Sequence, residues 1–192
     1  MTTYILHGGR TSKRNAQNEA FFAQFTELVA KETVTILLCY FSSETEKWDL
    51  LIQRDTASIK NNSEKEVKIL IAENPRDLLR KLDDSDVLYV AGGEAELLEP
   101  LYPDFISIKE KLAGRVFIGS SMGMFFASQQ YVLSFDSQDS NTVHKGLGLL
   151  PIQTLCHWDL EEEKEKKLQL LRKSSDLPIL VLNECEHVVL YT

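Results

Sequence analysis

Residues 115–127 read Arg-Val-Phe-Ile-Gly-Ser-Ser-Met-Gly-Met-Phe-Phe-Ala: a short apolar strand, a sharp turn and the start of a helix. The turn, Gly119-Ser120-Ser121-Met122-Gly123, has the G-x-S-x-G spacing of a nucleophile elbow. In that motif the central serine sits on a strained strand-to-helix turn that lifts its oxygen above the sheet. A glycine two positions to either side removes side chains that would collide with the tight backbone. The helix that follows aims its first N–H groups at any negative charge forming nearby. The same letters also fit an ordinary Gly/Ser-rich connection, so the surrounding sequence has to separate the two.

Working outward, apolar runs and helical periodicities alternate. Strands are expected at Tyr4–His7, Val34–Tyr40, Val67–Ala72, Asp86–Ala91 and Val116–Ile118, with helices between them at Asn18–Ala30, Glu44–Ile59, from Pro75 to Leu82, Glu94–Leu101 and Phe105–Ala113. Strand–helix alternation implies a mostly parallel sheet covered by helices on both faces, a three-layer α/β/α sandwich. Such sheets place their sites at the carboxyl ends of the strands. Gly8-Gly9, Gly92-Gly93 and Ser121 all follow strands directly and are expected on one rim. Beyond the elbow, Tyr131–Phe135 and Thr154–His157 read as strands, Leu160–Lys173 as a charged helix with a solvated face, and Pro178–Leu182 with Val188–Tyr191 as a closing hairpin.

The chain has 192 residues, a length that suits a single domain spanning 1–192. With 21 Lys and Arg against 29 Asp and Glu, its net charge of -8 argues against a nucleic-acid surface. No apolar run approaches a membrane span, and the polar N-terminus does not read as a signal peptide. Cys39, Cys156 and Cys185 are isolated and lack metal-site spacing. Reduced thiols in a cytoplasm follow, with no cofactor or metal expected.

A serine nucleophile needs a base, and the base needs a group that fixes its tautomer. Of the four histidines, His157 ends a predicted strand and follows the serine in chain order. His7, His144 and His187 are less well placed. Two acids could orient His157: Asp136, in the loop after Phe135, or Asp159, two residues on and on the same side of an extended chain. The residues alone leave both open. An oxyanion would be met by the Met122 N–H and by a backbone N–H at Gly92-Gly93, with Gly93 the candidate.

Three stretches together resemble the peptidase E (aspartyl dipeptidase) and cyanophycinase group of serine peptidases, which have the class I glutamine amidotransferase-like (flavodoxin-like) fold. Tyr89-Val-Ala-Gly-Gly-Glu-Ala is similar to the family's strand followed by Gly-Gly-Gly-Asn-Thr. Ile118-Gly-Ser-Ser-Met-Gly-Met is similar to its Gly-x-Ser-Ala-Gly-Ala elbow. Gly146-Leu-Gly-Leu-Leu-Pro with Cys156-His-Trp-Asp is similar to its histidine-bearing segment. The resemblance runs from about Tyr4 to Leu190. It implies a serine peptidase with Ser121 as nucleophile, His157 as base and Asp136 as the acid, Asp159 being the alternative. The expected partner is a small peptide substrate, with a homodimer allowed and neither nucleic acid nor membrane involved.

The sequence departs from that pattern at Met122 and Met124, where the family has alanines, and at Glu94 and Ala95, where it has Asn and Thr. The methionines would narrow or reshape the pocket. Glu94 would repel an acidic substrate group and suit a free amine or a basic side chain. A catalytically weak or inactive binding or regulatory member of the fold is the competing reading. A nucleotide site at Gly8-Gly9-Arg10-Thr-Ser-Lys13 has neither the Walker nor the G-x-G-x-x-G spacing.

Overall fold

In the computed structural model, which describes residues 1–134 and 139–192, strands and helices alternate along the first two thirds of the chain. The elements are β1 (Thr3–His7), α1 (Ala16–Glu27), β2 (Thr33–Cys39), α2 (Trp48–Asn61), β3 (Glu66–Ile71), α3 (Pro75–Lys81), β4 (Val87–Val90), α4 (Ala95–Leu98), α5 (Ile108–Lys111), β5 (Val116–Ser120) and α6 (Met122–Ala127). After them come β6 (Gln130–Val132), β7 (Val143–Lys145), β8 (Gln153–Leu155), α7 (Lys164–Ser174), β9 (Ile179–Val181) and β10 (His187–Tyr191). The main sheet runs β10-β1-β5-β4-β2-β3. All its pairings are parallel except the edge pair β1–β10.

The three layers follow from the strand residues. Leu6, Leu37, Leu88 and Phe117 turn one way and pack with Leu78 of α3, Leu98 of α4, Ile108 of α5 and the buried residues of α6. Their neighbours Ile5, Ile36, Leu38, Tyr89 and Ile118 turn the other way and meet Phe21, Phe22 and Phe25 of α1 and Ile59 of α2. Alternate residues of a strand point to opposite faces, so a sheet covered on both sides needs continuous apolar runs such as Ile36-Leu-Leu-Cys39. Each large side chain removed from water contributes about 1.5–3 kcal/mol.

Three expectations are corrected at the level of elements. The continuous helices anticipated over Glu94–Leu101 and Phe105–Ala113 are instead two single turns, α4 and α5, flanking a 3₁₀ segment at Glu99–Phe105 that holds Pro100 and Pro103. Proline lacks the N–H that an α-helix interior requires. The closing hairpin does not form: β9 pairs in parallel with β8, whereas β10 pairs with β1 in the other sheet. A free edge on β1 and another on β8 take one strand each. The charged helix begins at Lys164, and its face is not wholly solvated. Lys167 is buried, donates to Leu133 O at 2.7 Å and pairs with buried Glu161.

The small sheet, β7-β6-β8-β9, joins β6, β8 and β9 in parallel and β7 antiparallel. Val132, Leu155 and Leu171 form its own core under α7. Among the described residues, no helix is long and apolar enough to cross a membrane.

His7, at the end of β1, ties down the loop that follows. Its ring is fully buried; Nδ1 accepts the Gly9 N–H at 3.0 Å and Nε2 donates to Asn18 Oδ1 at 2.9 Å. Asn18 in turn donates to Arg10 O and Lys13 O at 3.0 and 2.7 Å. Burial, with His187 and His157 nearby, lowers the His7 pKa to about 4 from 6.5. The unfolded chain therefore binds the extra proton first as pH falls. The stabilisation from neutral His7 is complete above pH 6.5 and is lost as pH drops through about 4. The loss amounts to about 3 kcal/mol at most. Denaturant titrations across this range should show a steeper acid loss in the wild type than in His7→Gln, and parallel curves would contradict the assignment.

Candidate active site

Parallel register assembles the site. β1 and β5 pair His7 with Ser120, and β4 and β5 pair Val90 with Gly119, so Ser121 emerges between the ends of β1 and β4. Its backbone lies at φ 48° and ψ -108°, a region costly for a residue with a Cβ. The surroundings hold it there. The Ser121 N–H donates to His7 O at 2.9 Å, while Ser121 O accepts the N–H groups of Met124 and Phe125 at 2.8 and 3.1 Å and so starts α6. The two elbow glycines are required by space. A Cβ on Gly119 would stand 2.3 Å from Gly123 O, and one on Gly123 would stand 2.0 Å from Val90 O. All six residues of α6 are buried.

The histidine arrives from the second sheet. β8 and β9 pair Leu155 with Val181, and two further backbone bonds, Leu182 N–H to Leu155 O and Trp158 N–H to Leu182 O, keep the exits of these strands side by side. His157 follows one exit and Glu184 the other. His157 Nε2 is 3.1 Å from Ser121 Oγ, and its Nδ1 is 3.1 Å from Glu184 Oε1. When Nδ1–H donates to Glu184, Nε2 is left to accept the serine proton. The second oxygen of Glu184 takes the Arg10 guanidinium at 3.1 Å. The Glu184 side chain is 9% exposed, so this partner and the ring together hold a carboxylate that would otherwise be costly to bury.

The carboxylate beside His157 is thus Glu184, which the sequence reading did not single out. Asp159 makes its contact one step back, accepting the Glu184 N–H at 2.9 Å rather than meeting the ring. It does not cap α7, which starts five residues later. Asp136 lies outside the described residues. A usable signal was present: Glu184 follows a strand at Ile179–Val181 just as Ser121 and His157 follow theirs. The expected hairpin hid it, because residues 183–187 then read as a turn joining two paired strands rather than as the exit of a parallel strand.

The non-glycine residues with positive φ among those described are Arg10, Ser121, His157 and Cys185. Two of them carry the Ser–His pair, Arg10 pairs with Glu184, and Cys185 follows Glu184 and donates its N–H to Gly9 O at 3.0 Å. Backbone strain gathered at one place marks a site whose geometry is imposed by its surroundings.

A cavity of about 390 Å³ opens over Ser121 and His157. Gly92, Gly93 and Glu94 line it, as expected of that strand end, and so does Met122. Met124 does not: it is fully buried in the core, so only one of the two elbow methionines can shape the pocket. The Gly93 N–H has no acceptor among the described residues. Glu94 is exposed at the cavity, with its own N–H on Ser42 O at 2.7 Å.

A serine on a strained strand–helix elbow, in contact with a histidine backed by a carboxylate, within an α/β fold, defines the class of serine hydrolases. The family model for peptidase family S51 matches residues 4–191, and the chain belongs to that family of serine peptidases. Among solved structures it is similar to a provisionally assigned peptidase E protein from Listeria monocytogenes EGD-e, at 20% identity and a TM-score of 0.67, covering 99% of this chain and 94% of that one. It is also similar to a peptidase from an acI-B1 Actinobacterium, at 14% identity and a TM-score of 0.67, covering 99% and 83%. These likenesses show the fold. The comparison with curated proteins found no match.

Gly9 tests how tightly the ring is held. Its φ is 104°, and an added Cβ would stand 2.3 Å from His157 Cε1. Gly9→Ala should displace the imidazole and slow labelling of Ser121 by a fluorophosphonate at least about tenfold, while cooperative unfolding persists. Unchanged labelling in a folded variant would show that the ring is free to move.

Proposed function

We propose that this serine peptidase hydrolyses short peptides through a Ser121–His157–Glu184 triad. The observation that carries the reading is the unbroken chain of contacts from Ser121 Oγ through both nitrogens of His157 to Glu184, each 3.1 Å long. Ser121 Oγ attacks the scissile carbonyl carbon as His157 Nε2 takes its proton. Glu184, paired with Arg10 on its other oxygen, stabilises the resulting imidazolium and fixes its tautomer. The proton passes to the leaving amine, and the carbonyl is left as an ester on Ser121. Water then attacks that ester with His157 as base, and the acid product leaves.

The developing oxyanion would be met by the N–H groups of Met122 and Gly93. The first residue of a helix has no intrahelical acceptor for its N–H, and the Gly93 N–H is likewise unused among the described residues. Preorganised donors of this kind contribute about 3–4 kcal/mol to such steps. Glu94 at the cavity favours a substrate carrying a free amino group or a basic side chain over an acidic one there.

Fluorophosphonate labelling with mass-spectrometric mapping tests the triad. The adduct should fall on Ser121 and vanish in Ser121→Ala and His157→Ala. Glu184→Gln should lower kcat by about a hundredfold or more, because an amide does not hold the imidazolium as a carboxylate does. Asp136→Asn and Asp159→Asn should retain most activity. If Asp136→Asn is the crippled variant instead, Glu184 is not the acid. Folded protein that takes no adduct would favour the binding or regulatory reading.

A further inference from the structure

Helix α2 places a charged side chain at the cavity that the chemistry above does not use. Arg54 lines the same cavity as Ser121 and His157, and its side chain is 33% exposed. It is held from behind. Nε donates to Asp55 Oδ1 at 2.7 Å, and Asp55 Oδ2 accepts the Tyr40 hydroxyl at 3.0 Å. Asp55 and Tyr40 are both fully buried. A buried carboxylate costs several kcal/mol unless it is paired, and both oxygens of this one are used to orient two neighbours.

The arrangement occupies only one of the five N–H groups of the guanidinium. Among the described residues, Nη1 and Nη2 make no hydrogen bond with the protein. Their outer edge is therefore open, and it presents the parallel N–H pair that a carboxylate accepts in bidentate fashion. The other arginine at the cavity, Arg10, is engaged with Glu184. The volume suits a peptide of two or three residues, within the usual range for small-molecule sites. Glu94, at the same cavity, has the opposite charge.

Resting on the proposed peptidase reading, we infer that Arg54 is a specificity-determining residue that binds a carboxylate of the substrate, supplied by the peptide's own C-terminus. A free peptide brings one amine and one carboxylate, and the cavity offers one anion and one uncommitted cation. Asp55 and Tyr40 act as positioning residues, fixing the fork so that little freedom is lost on binding. An acidic side chain has the same chemistry and is the other source of the carboxylate.

Four substrates separate these possibilities in steady-state assays: a short peptide with a free C-terminus, its C-terminal amide, an amidated peptide with an acidic side chain, and a neutral p-nitrophenyl ester. The wild type should favour the free acid over its amide at least tenfold. Arg54→Gln should remove that preference, mainly through KM, while leaving the neutral ester unchanged, and Arg54→Lys should restore part of it. Arg54-dependent turnover of the amidated acidic peptide would keep Arg54 as the carboxylate anchor and move the source to a side chain. No preference in the wild type, or equal losses on peptide and neutral ester in Arg54→Gln, would overturn the inference. Calorimetric binding of the free-acid peptide and its amide to Ser121→Ala, with and without Arg54→Gln, reads the anchor without catalysis. If Ser121 proves unreactive, the triad fails, while the inference stands or falls on whether the free acid alone binds and whether Arg54→Gln weakens it tenfold.

Discussion

Close packing of the β5–α6 turn against β4 and β1 is the constraint on which the site depends. Ser121 occupies an unfavourable backbone conformation, and two glycines allow neighbouring backbone to approach where a Cβ would stand 2.3 Å or less from an oxygen. The hydrogen bond from Ser121 N–H to His7 O fastens the turn to the adjacent strand. None of these features stabilises the turn in isolation. They hold because the sheet on either side is buried on both faces, and its apolar contacts outweigh the local strain. The same packing fills α6 with buried residues, so the elbow cannot relax by swinging its helix away.

The second sheet supplies what the first lacks. A nucleophile at the end of β5 has no base among its sequence neighbours. His157, the proposed base, comes from the exit of β8 and the Glu184 carboxylate from the exit of β9, brought together by parallel pairing of two three-residue strands. Such short strands have little stability alone. Val132, Leu155 and Leu171 under α7, and the Lys167–Glu161 pair bonded to Leu133 O, add the missing packing. The Ser121–His157–Glu184 contacts thus bridge two sheets, and the chain that crosses between them, residues 182–186, carries Glu184. Its neighbour Cys185 donates its N–H to the carbonyl oxygen of Gly9, the glycine at which an added Cβ would collide with the His157 ring.

Charge at the cavity is partitioned rather than pooled. Arg10 pairs with Glu184, whereas Arg54 and Glu94 line the cavity without contacting that carboxylate. Arg54 is oriented by a carboxylate with no other exposure, whereas Glu94 stands in solvent. A buried carboxylate is a poor source of stability by itself, and its pairing with Arg54 is better understood as the mounting of a guanidinium that lines the cavity.

Much of this was legible in the residues. The alternation of apolar runs and helical periodicities fixes a mostly parallel, two-sided sheet, because a strand buried on both faces must be apolar throughout. G-x-S-x-G after one such run marks Ser121 as the candidate at the elbow, because the turn tolerates only glycine at its flanks. The strand-end position points to His157, which lies against Ser121. The tertiary structure decided the rest. In one dimension Asp136 and Asp159 are the candidate acids; Asp136 lies outside the described residues, and only the pairing of β8 with β9 sets Glu184 against the ring and leaves Asp159 on the backbone behind it. Arg54 reads as one more charge on an amphipathic helix until its bond to a fully buried Asp55 is seen. Local pattern follows from each residue's own geometry and solubility, whereas the partner of a buried charge is set by which distant strands share an edge.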